Sequence, residues 1–156
     1  MHDYKELAIY FNSDKRVIGV PCGESEIYGI SSLDIFFALE PNYSDDELEA
    51  FINKVFDACF SKKSSINLSA QPMPQTAIQK YTGAKSYVAA VKGYSYVDIT
   101  WIKDDGYTFT PTEIDKKYKG AFIFIEDKAI KVPTTHEKGA LAKAFRQAME
   151  ITIEHG

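Results

Sequence analysis

Between Ser44 and Phe60 the chain places an apolar residue wherever one face of a helix requires it. Leu48, Phe51, Ile52, Val55, Phe56, Cys59 and Phe60 follow the i, i+3, i+4, i+7 spacing. A stripe this wide must be covered, so the fold has to supply a sheet or a second helix against it. Ser44 and Glu47 form an S-x-x-E capping box, in which the serine accepts from an early backbone N–H and the glutamate reaches back to the cap residue. Asp45, Asp46, Glu47 and Glu49 crowd the first turns and Lys54, Lys62 and Lys63 lie toward the end, the order the helix dipole favours. Ahead of this helix, Leu33, Ile35, Phe36, Phe37, Ala38 and Leu39 make a short apolar run. It reads as a strand covered on both faces and stopped by Pro41.

The same plan recurs near the C-terminus. Lys128–Val132 reads as a strand ended by Pro133, and Thr134 with Glu137 repeats the capping box. Leu141, Ala144, Phe145, Ala148, Met149 and Thr152 then repeat the helical stripe. The two copies share little sequence, so the repetition is a local plan rather than a duplication. The expected fold is α+β: a single domain over residues 1–156, with an antiparallel or mixed β-sheet and two main amphipathic helices packed on it.

The remaining elements fit that frame. Tyr4–Phe11 and Lys15–Val20 read as a hairpin turning at Asn12-Ser13-Asp14, followed by a loop over Pro21–Glu26 and a short extended piece at Ile27–Ile30. The Ser-, Asn-, Gln- and Pro-rich Ser61–Gln75 is a connection. Thr76–Tyr81 suits one or two helical turns ended by Gly83, and Ser86–Val91 is ambiguous between strand and helix. Tyr94–Lys103 meets Gly106–Thr112 in a second hairpin. A three-residue Asp104-Asp105-Gly106 loop sets Trp101 opposite Phe109 and Ile99 opposite Pro111, which keeps apolar groups on one face. A two-residue loop would mix the faces. Tyr94, Tyr96, Asp98 and Thr100 then point away together, either as an interface patch or under a covering helix. Gly120–Ile125 and Lys128–Val132 form an expected last hairpin around Glu126-Asp127.

Composition narrows the function. A length of 156 residues allows roughly 70% of the unfolded surface to be buried, and no apolar run approaches a membrane span. The N-terminus lacks the basic and apolar regions of a secretory signal, so a cytoplasmic location is expected. The net charge of −4 argues against a direct nucleic-acid footprint. Cys22 and Cys59 have neither metal-ligand nor disulfide-framework spacing and read as reduced structural thiols. His2, His136 and His155 are isolated in sequence, no G-x-S-x-G elbow is present, and the dispersed glycines make no phosphate cradle. Adjacent Asp45-Asp46 and Asp104-Asp105 suit capping and turns better than acid–base work. No cofactor and no metal are expected, and the chain is not expected to be an enzyme.

Binding remains. Tyr94, Tyr96, Asp98, Asp104, Asp105 and Tyr107 combine carboxylates with aromatic anchors, which suits a basic protein partner: charge steers the encounter and aromatic burial slows release. The alternatives are a small cytoplasmic enzyme whose site forms only in the fold, or an adaptor domain.

The segment SSLDIFFALEPNYSDDELEAFINKVFDACFSKK resembles bacterial contact-dependent growth inhibition immunity proteins in Ser32, Asp34, Ile35, Pro41, Ser44, Asp45, Glu47 and Leu48. The tail KAIKVPTTHEKGALAKAFRQAMEI is similar to that family's closing strand, proline and helix, with Leu141 as its early leucine. The family's usual small residue after the Glu-Leu pair is Glu49 here, a departure expected to alter how closely the helix packs on the sheet. The resemblance implies a cytoplasmic, non-catalytic protein that neutralises a cognate toxin C-terminal domain, often a nuclease. Inhibition would cover the toxin's active site or displace its substrate. The matched residues are scaffold, and the binding surface is expected to lie in the less patterned middle of the chain.

Overall fold

The computed structural model describes residues 2–67, 69–70 and 73–155. Tyr4–Phe11 (β1) and Val17–Val20 (β2) form the expected hairpin, with Ala8 opposite Val20 and Phe11 opposite Val17. Asn12 builds the turn, its side-chain oxygen accepting from the backbone N–H groups of Asp14 and Arg16. The Pro21–Glu26 stretch is not a loop. Cys22–Ser25 (β3) pairs with Gly29–Ser32 (β4) as a separate two-stranded sheet, turned tightly by Gly29 at φ 79°. The apolar run after it is also not a central strand. Only Phe37–Leu39 (β5) is extended, at the sheet's edge beside β2, while Leu33 alone of that run is fully buried. Its apolar side chains face core and rim in turn, a distinction that run length does not carry.

Asp45–Asp57 (α1) forms with the expected Ser44–Glu47 box and buries Leu48, Phe51, Ile52, Val55 and Phe56. It packs so closely that a Cβ on Gly19 would lie 2.7 Å from Val55 Cγ2. In the Ser61–Gln75 connection, residues 68, 71 and 72 lie outside the described residues, as do 1 and 156; the rest is irregular. Ala77–Thr82 (α2) is capped by Thr76 and closed by Gly83 at φ 76°, as its sequence requires. The ambiguous stretch is helical at Tyr87–Val91 (α3).

Ser95–Ile102 (β6) and Gly106–Ile114 (β7) pair with Trp101 opposite Tyr107, Ile99 opposite Phe109 and Val97 opposite Pro111. The register is displaced by two residues from the expectation. An even shift preserves which face each side chain takes, so the apolar face is as expected. Phe122–Phe124 (β8) and Ile130–Val132 (β9) do not pair with each other as a hairpin. Both pair with β7, at Thr112–Ile114 and Tyr107–Phe109 respectively. The Pro111 carbonyl accepts from Ile125 on that outer edge, so the proline's missing N–H faces the same way and interrupts the ladder where the two partners change over.

All strand pairs are antiparallel, and the larger sheet runs β5-β2-β1-β6-β7-β8, with β9 also on β7. Ala140–His155 (α4) lies beside α1 on one face, and together they cover the main core of Leu7, Ile9, Val97, Ile99, Phe109 and Phe145. α2 and α3 pack on the other face over Ala8, Tyr10, Ile18 and Val20. The α+β expectation of a sheet with two main amphipathic helices is met, with two short helices on the opposite face.

The Thr134–Glu137 box does not form. α4 begins after Gly139, at φ 88°, and its first turn is held from across the fold. The Glu49 carboxylate accepts from Gly139 N–H at 2.8 Å and Ala142 N–H at 2.7 Å. The unusual glutamate on α1 is therefore a tertiary cap that ties the two main helices together.

Candidate partner interface

Strand alternation puts Tyr4, Glu6, Ala8 and Tyr10 of β1 on the same face as Tyr94, Tyr96, Asp98 and Thr100, because β1 pairs with β6 across Ala8 and Asp98. Tyr94, Tyr96 and Asp98 thus share a face, as expected. That face does not point into solvent. Tyr94 and Tyr96 pack against the second core, and Asp98 is only 2% exposed. Tyr96 lies between aromatic neighbours, stacked on Phe122 at 5.4 Å and Phe124 at 6.1 Å and edge-on to Tyr10 at 5.3 Å. Its hydroxyl donates to Asp98 Oδ1 at 3.0 Å.

Burial, then the neighbouring Glu6 carboxyl, pushes the Asp98 carboxyl well above the usual carboxylate range. Asp98 is enclosed under the covering elements and does not present its carboxyl outward. Burial likewise drives the Tyr96 and Tyr10 phenols up, and Tyr10 shares a hydroxyl–hydroxyl hydrogen bond with Tyr87 at 2.9 Å.

The other three predicted residues lie elsewhere. Asp104 and Asp105 are exposed at the β6–β7 tip, with Asp104 in the left-handed region at φ 67° and Asp105 N–H bonded to Ile102 O at 3.0 Å. Lys103 N–H donates to Asp3 O at 2.9 Å, which brings exposed Asp3 to the same end. Three exposed carboxylates, Asp3, Asp104 and Asp105, thus lie at this end of the sheet, beside exposed Lys103. Tyr107 is half-buried on the opposite face, edge-on to Phe56 at 5.5 Å and His136 at 5.6 Å. The six residues occupy three places and do not form one surface.

A cleft of about 420 Å³ opens to solvent on the second face. Tyr10 and Tyr96 form its floor, and Ser31 of β4, Tyr87 of α3, and Phe122 and Phe124 of β8 line its sides. Phe124, which lines the cleft, is itself exposed, and Ile27 and Ile30 are exposed on the β3–β4 hairpin. The Ser25 hydroxyl accepts from the Ile27 and Tyr28 backbones and fixes the hairpin tip beside exposed Glu24 and Glu26. Sequence reasoning missed this cleft because the residues named come from five separate stretches. The alternating YKELAIYF pattern was the available signal for Glu6 and Tyr10.

The histidines are separately placed. His2 stacks on Phe60 at 3.5 Å and His136 Nδ1 lies 2.9 Å from Pro133 O, so each ring is engaged at a different place. Among the described residues, no group of three or more His, Cys, Asp or Glu is placed to hold a metal ion. None of the described helices is long and apolar enough to cross a membrane.

No family model matches the chain, and no curated protein matches it in sequence. Its fold is shared with solved structures. A chain of the CdiA-CT/CdiI toxin and immunity complex from Yersinia pseudotuberculosis superposes with a TM-score of 0.65 at 13% identity, covering 97% of this chain and 98% of that one. A protein of unknown function from Neisseria meningitidis superposes at 0.61 with 10% identity, covering 96% and 95%. At these identities the likeness is one of fold, and it extends over nearly the whole of each chain.

Proposed function

We propose that the chain is an immunity protein that binds a toxin domain delivered between neighbouring bacteria and neutralises it in the cytoplasm. The observation that carries this reading is the near-complete superposition on a chain of a toxin and immunity complex. Charge adds support: a chain of net charge −4 with carboxylates at an exposed hairpin tip complements a basic partner, and domains that cut nucleic acid are basic because they hold phosphates. Neutralisation on this reading is steric and electrostatic, with no chemistry by the immunity protein itself. The partner is the C-terminal domain of the cognate toxin, most naturally a nuclease of the contact-dependent growth inhibition type. The cleft between β4 and β8 supplies apolar contact, and Asp104 and Asp105 supply steering.

Coexpression with the toxin encoded immediately upstream tests the reading. The chain is expected to restore growth and to copurify with the toxin domain. Growth arrest despite a soluble chain, or its absence from the purified toxin, would overturn the reading.

A further inference from the structure

β7 runs from the acidic tip at Asp104-Asp105 to a turn of the opposite sign. Its nine residues, at about 3.4 Å each, set the two ends well apart. The turn carries Lys116, Lys117 and Lys119 in a chain whose net charge is −4. Asp115 builds it. Asp115 Oδ1 accepts from the backbone N–H groups of Lys117 at 2.8 Å and Tyr118 at 3.2 Å, and Asp115 N–H donates to Ala121 O at 3.0 Å. Gly120 completes the turn at φ 81°, where a side chain would be strained. The carboxylate is thus spent on the backbone, and the three lysines and Tyr118 stand exposed.

Beside the turn lies an open groove of about 530 Å³. Val88 and Val91 of α3, Ile114 of β7 and Phe122 of β8 supply its apolar lining, and Lys92 and Lys119 line it too. Val88 and Ile114 are left 45% and 54% exposed, so their apolar surface is open to a ligand. Among the described residues, Lys92, Lys116, Lys117 and Lys119 meet no carboxylate, whereas Lys15, Lys62, Lys63, Lys80 and Lys138 each do. An apolar groove edged by unpaired ammonium groups is complementary to carboxylates that flank an aliphatic side chain.

We propose that this groove binds an acidic, extended protein segment, which seats an aliphatic side chain on the Val88, Val91 and Ile114 wall while its carboxylates meet Lys92 and the Lys116–Lys119 turn. Single-stranded nucleic acid would seek flat aromatic platforms for its bases. The rings here are engaged within the fold: Phe122 stacks on Tyr96 at 5.4 Å, and Lys117 Nζ lies over the Tyr118 ring at 5.3 Å. The branched aliphatic wall favours a peptide side chain. This surface is separate from the acidic tip assigned to a basic toxin and takes a partner segment of opposite charge.

The test is fluorescence anisotropy of the full chain with a dye-labelled peptide of Glu and Asp residues around a central leucine pair. Saturable binding is expected, weakening severalfold as salt rises from about 50 to about 200 mM. Lys116→Ala, Lys117→Ala and Lys119→Ala combined are expected to weaken it about tenfold or more. Replacing the peptide's leucines with serine, or Ile114→Ser in the protein, is expected to weaken it about fivefold. Circular dichroism checks that the variants, which alter exposed positions, remain folded. No binding at about 1 mM protein, affinity indifferent to the three lysines, or affinity indifferent to the leucines would overturn the proposal. Tighter binding of poly(U) than of the peptide, lost with the same lysines, would overturn the assignment to a protein segment. Failure here leaves the toxin reading standing, since the probe contains no toxin.

Discussion

Replacing Glu49 with alanine removes the bond between the two main helices at the point where α4 starts. One carboxylate holds two backbone N–H groups there, at 2.8 and 2.7 Å, from a residue some 90 positions earlier in the chain. An N-cap is worth about 0.5–2 kcal/mol, and a carboxylate at a helix N-terminus adds about 0.3–1 kcal/mol through the dipole. Ala142 is fully buried, so water reaches its freed N–H poorly and the loss falls toward the upper end. The expected cost is about 2–3 kcal/mol. At about 2–4 °C per kcal/mol for a chain of this size, that lowers Tm by roughly 4–12 °C.

The assay is urea and thermal unfolding followed by circular dichroism, with hydrogen exchange at Gly139 and Ala142 reporting the local loss. Glu49→Gln, which keeps one acceptor oxygen and loses the charge, falls between wild type and Glu49→Ala. Thr134→Ala with Glu137→Ala supplies the contrast, because the capping box those residues spell is absent from the fold; its cost is expected to stay within about 0.5 kcal/mol. A Glu49→Ala cost below about 0.5 kcal/mol, or a Thr134/Glu137 cost equal to it, would refute the tertiary cap.

Gly19→Ala puts a methyl group 2.7 Å from Val55 Cγ2 and 3.1 Å from the Phe51 ring, and the overpacking is expected to cost about 1–3 kcal/mol in urea unfolding; an unchanged midpoint would show that α1 can shift outward freely. Asp34 accepts from Lys62 at 2.7 Å and Lys80 at 2.8 Å, and these bonds lower its carboxyl to about 2. A depressed carboxylate stabilises the fold fully above its unfolded value near ~3.9 and loses that contribution as pH falls from there toward 2. With both lysines half-exposed, screening leaves about 1 kcal/mol of it. Asp34→Asn should therefore lower stability at pH 7 and flatten its fall below pH 4, and an unaltered pH profile would contradict the clamp. Asp104→Lys combined with Asp105→Lys is expected to slow association with the toxin domain by about tenfold or more at low salt; an association rate unchanged at low salt would remove the hairpin tip from the interface.

Local signals in the sequence were read correctly where they closed within a few residues. The Ser44–Glu47 cap binds three positions away and forms, and the helical turn expected over Thr76–Tyr81 closes at Gly83. Strand alternation kept the faces of the β6–β7 hairpin correct even though its register moved by two, since parity alone decides the face. What failed depended on distant partners. The Thr134–Glu137 box lost to Glu49, a competitor on another helix. Two β7 partners resembled a hairpin because periodicity does not say which neighbour a strand chooses, and Pro111 made the decision on β7's outer edge. The interface was the least legible part. Tyr96 and Asp98 alternate as an outward face would, and only the placement of α2 and α3 shows that this face is covered. The pairing of β1 with β6 brings Glu6 to Asp98, and the end of β2 at Pro21 leaves the Glu6 N–H to the Cys22 sulfur.

The central claim is neutralisation by direct contact, and its most direct measurement is a titration of the purified, active toxin domain with the purified chain. Toxin activity is expected to fall linearly to zero as the chain is added and to break at one chain per toxin, with the same stoichiometry in the isolated complex. Full activity at a molar excess of folded chain would contradict the account.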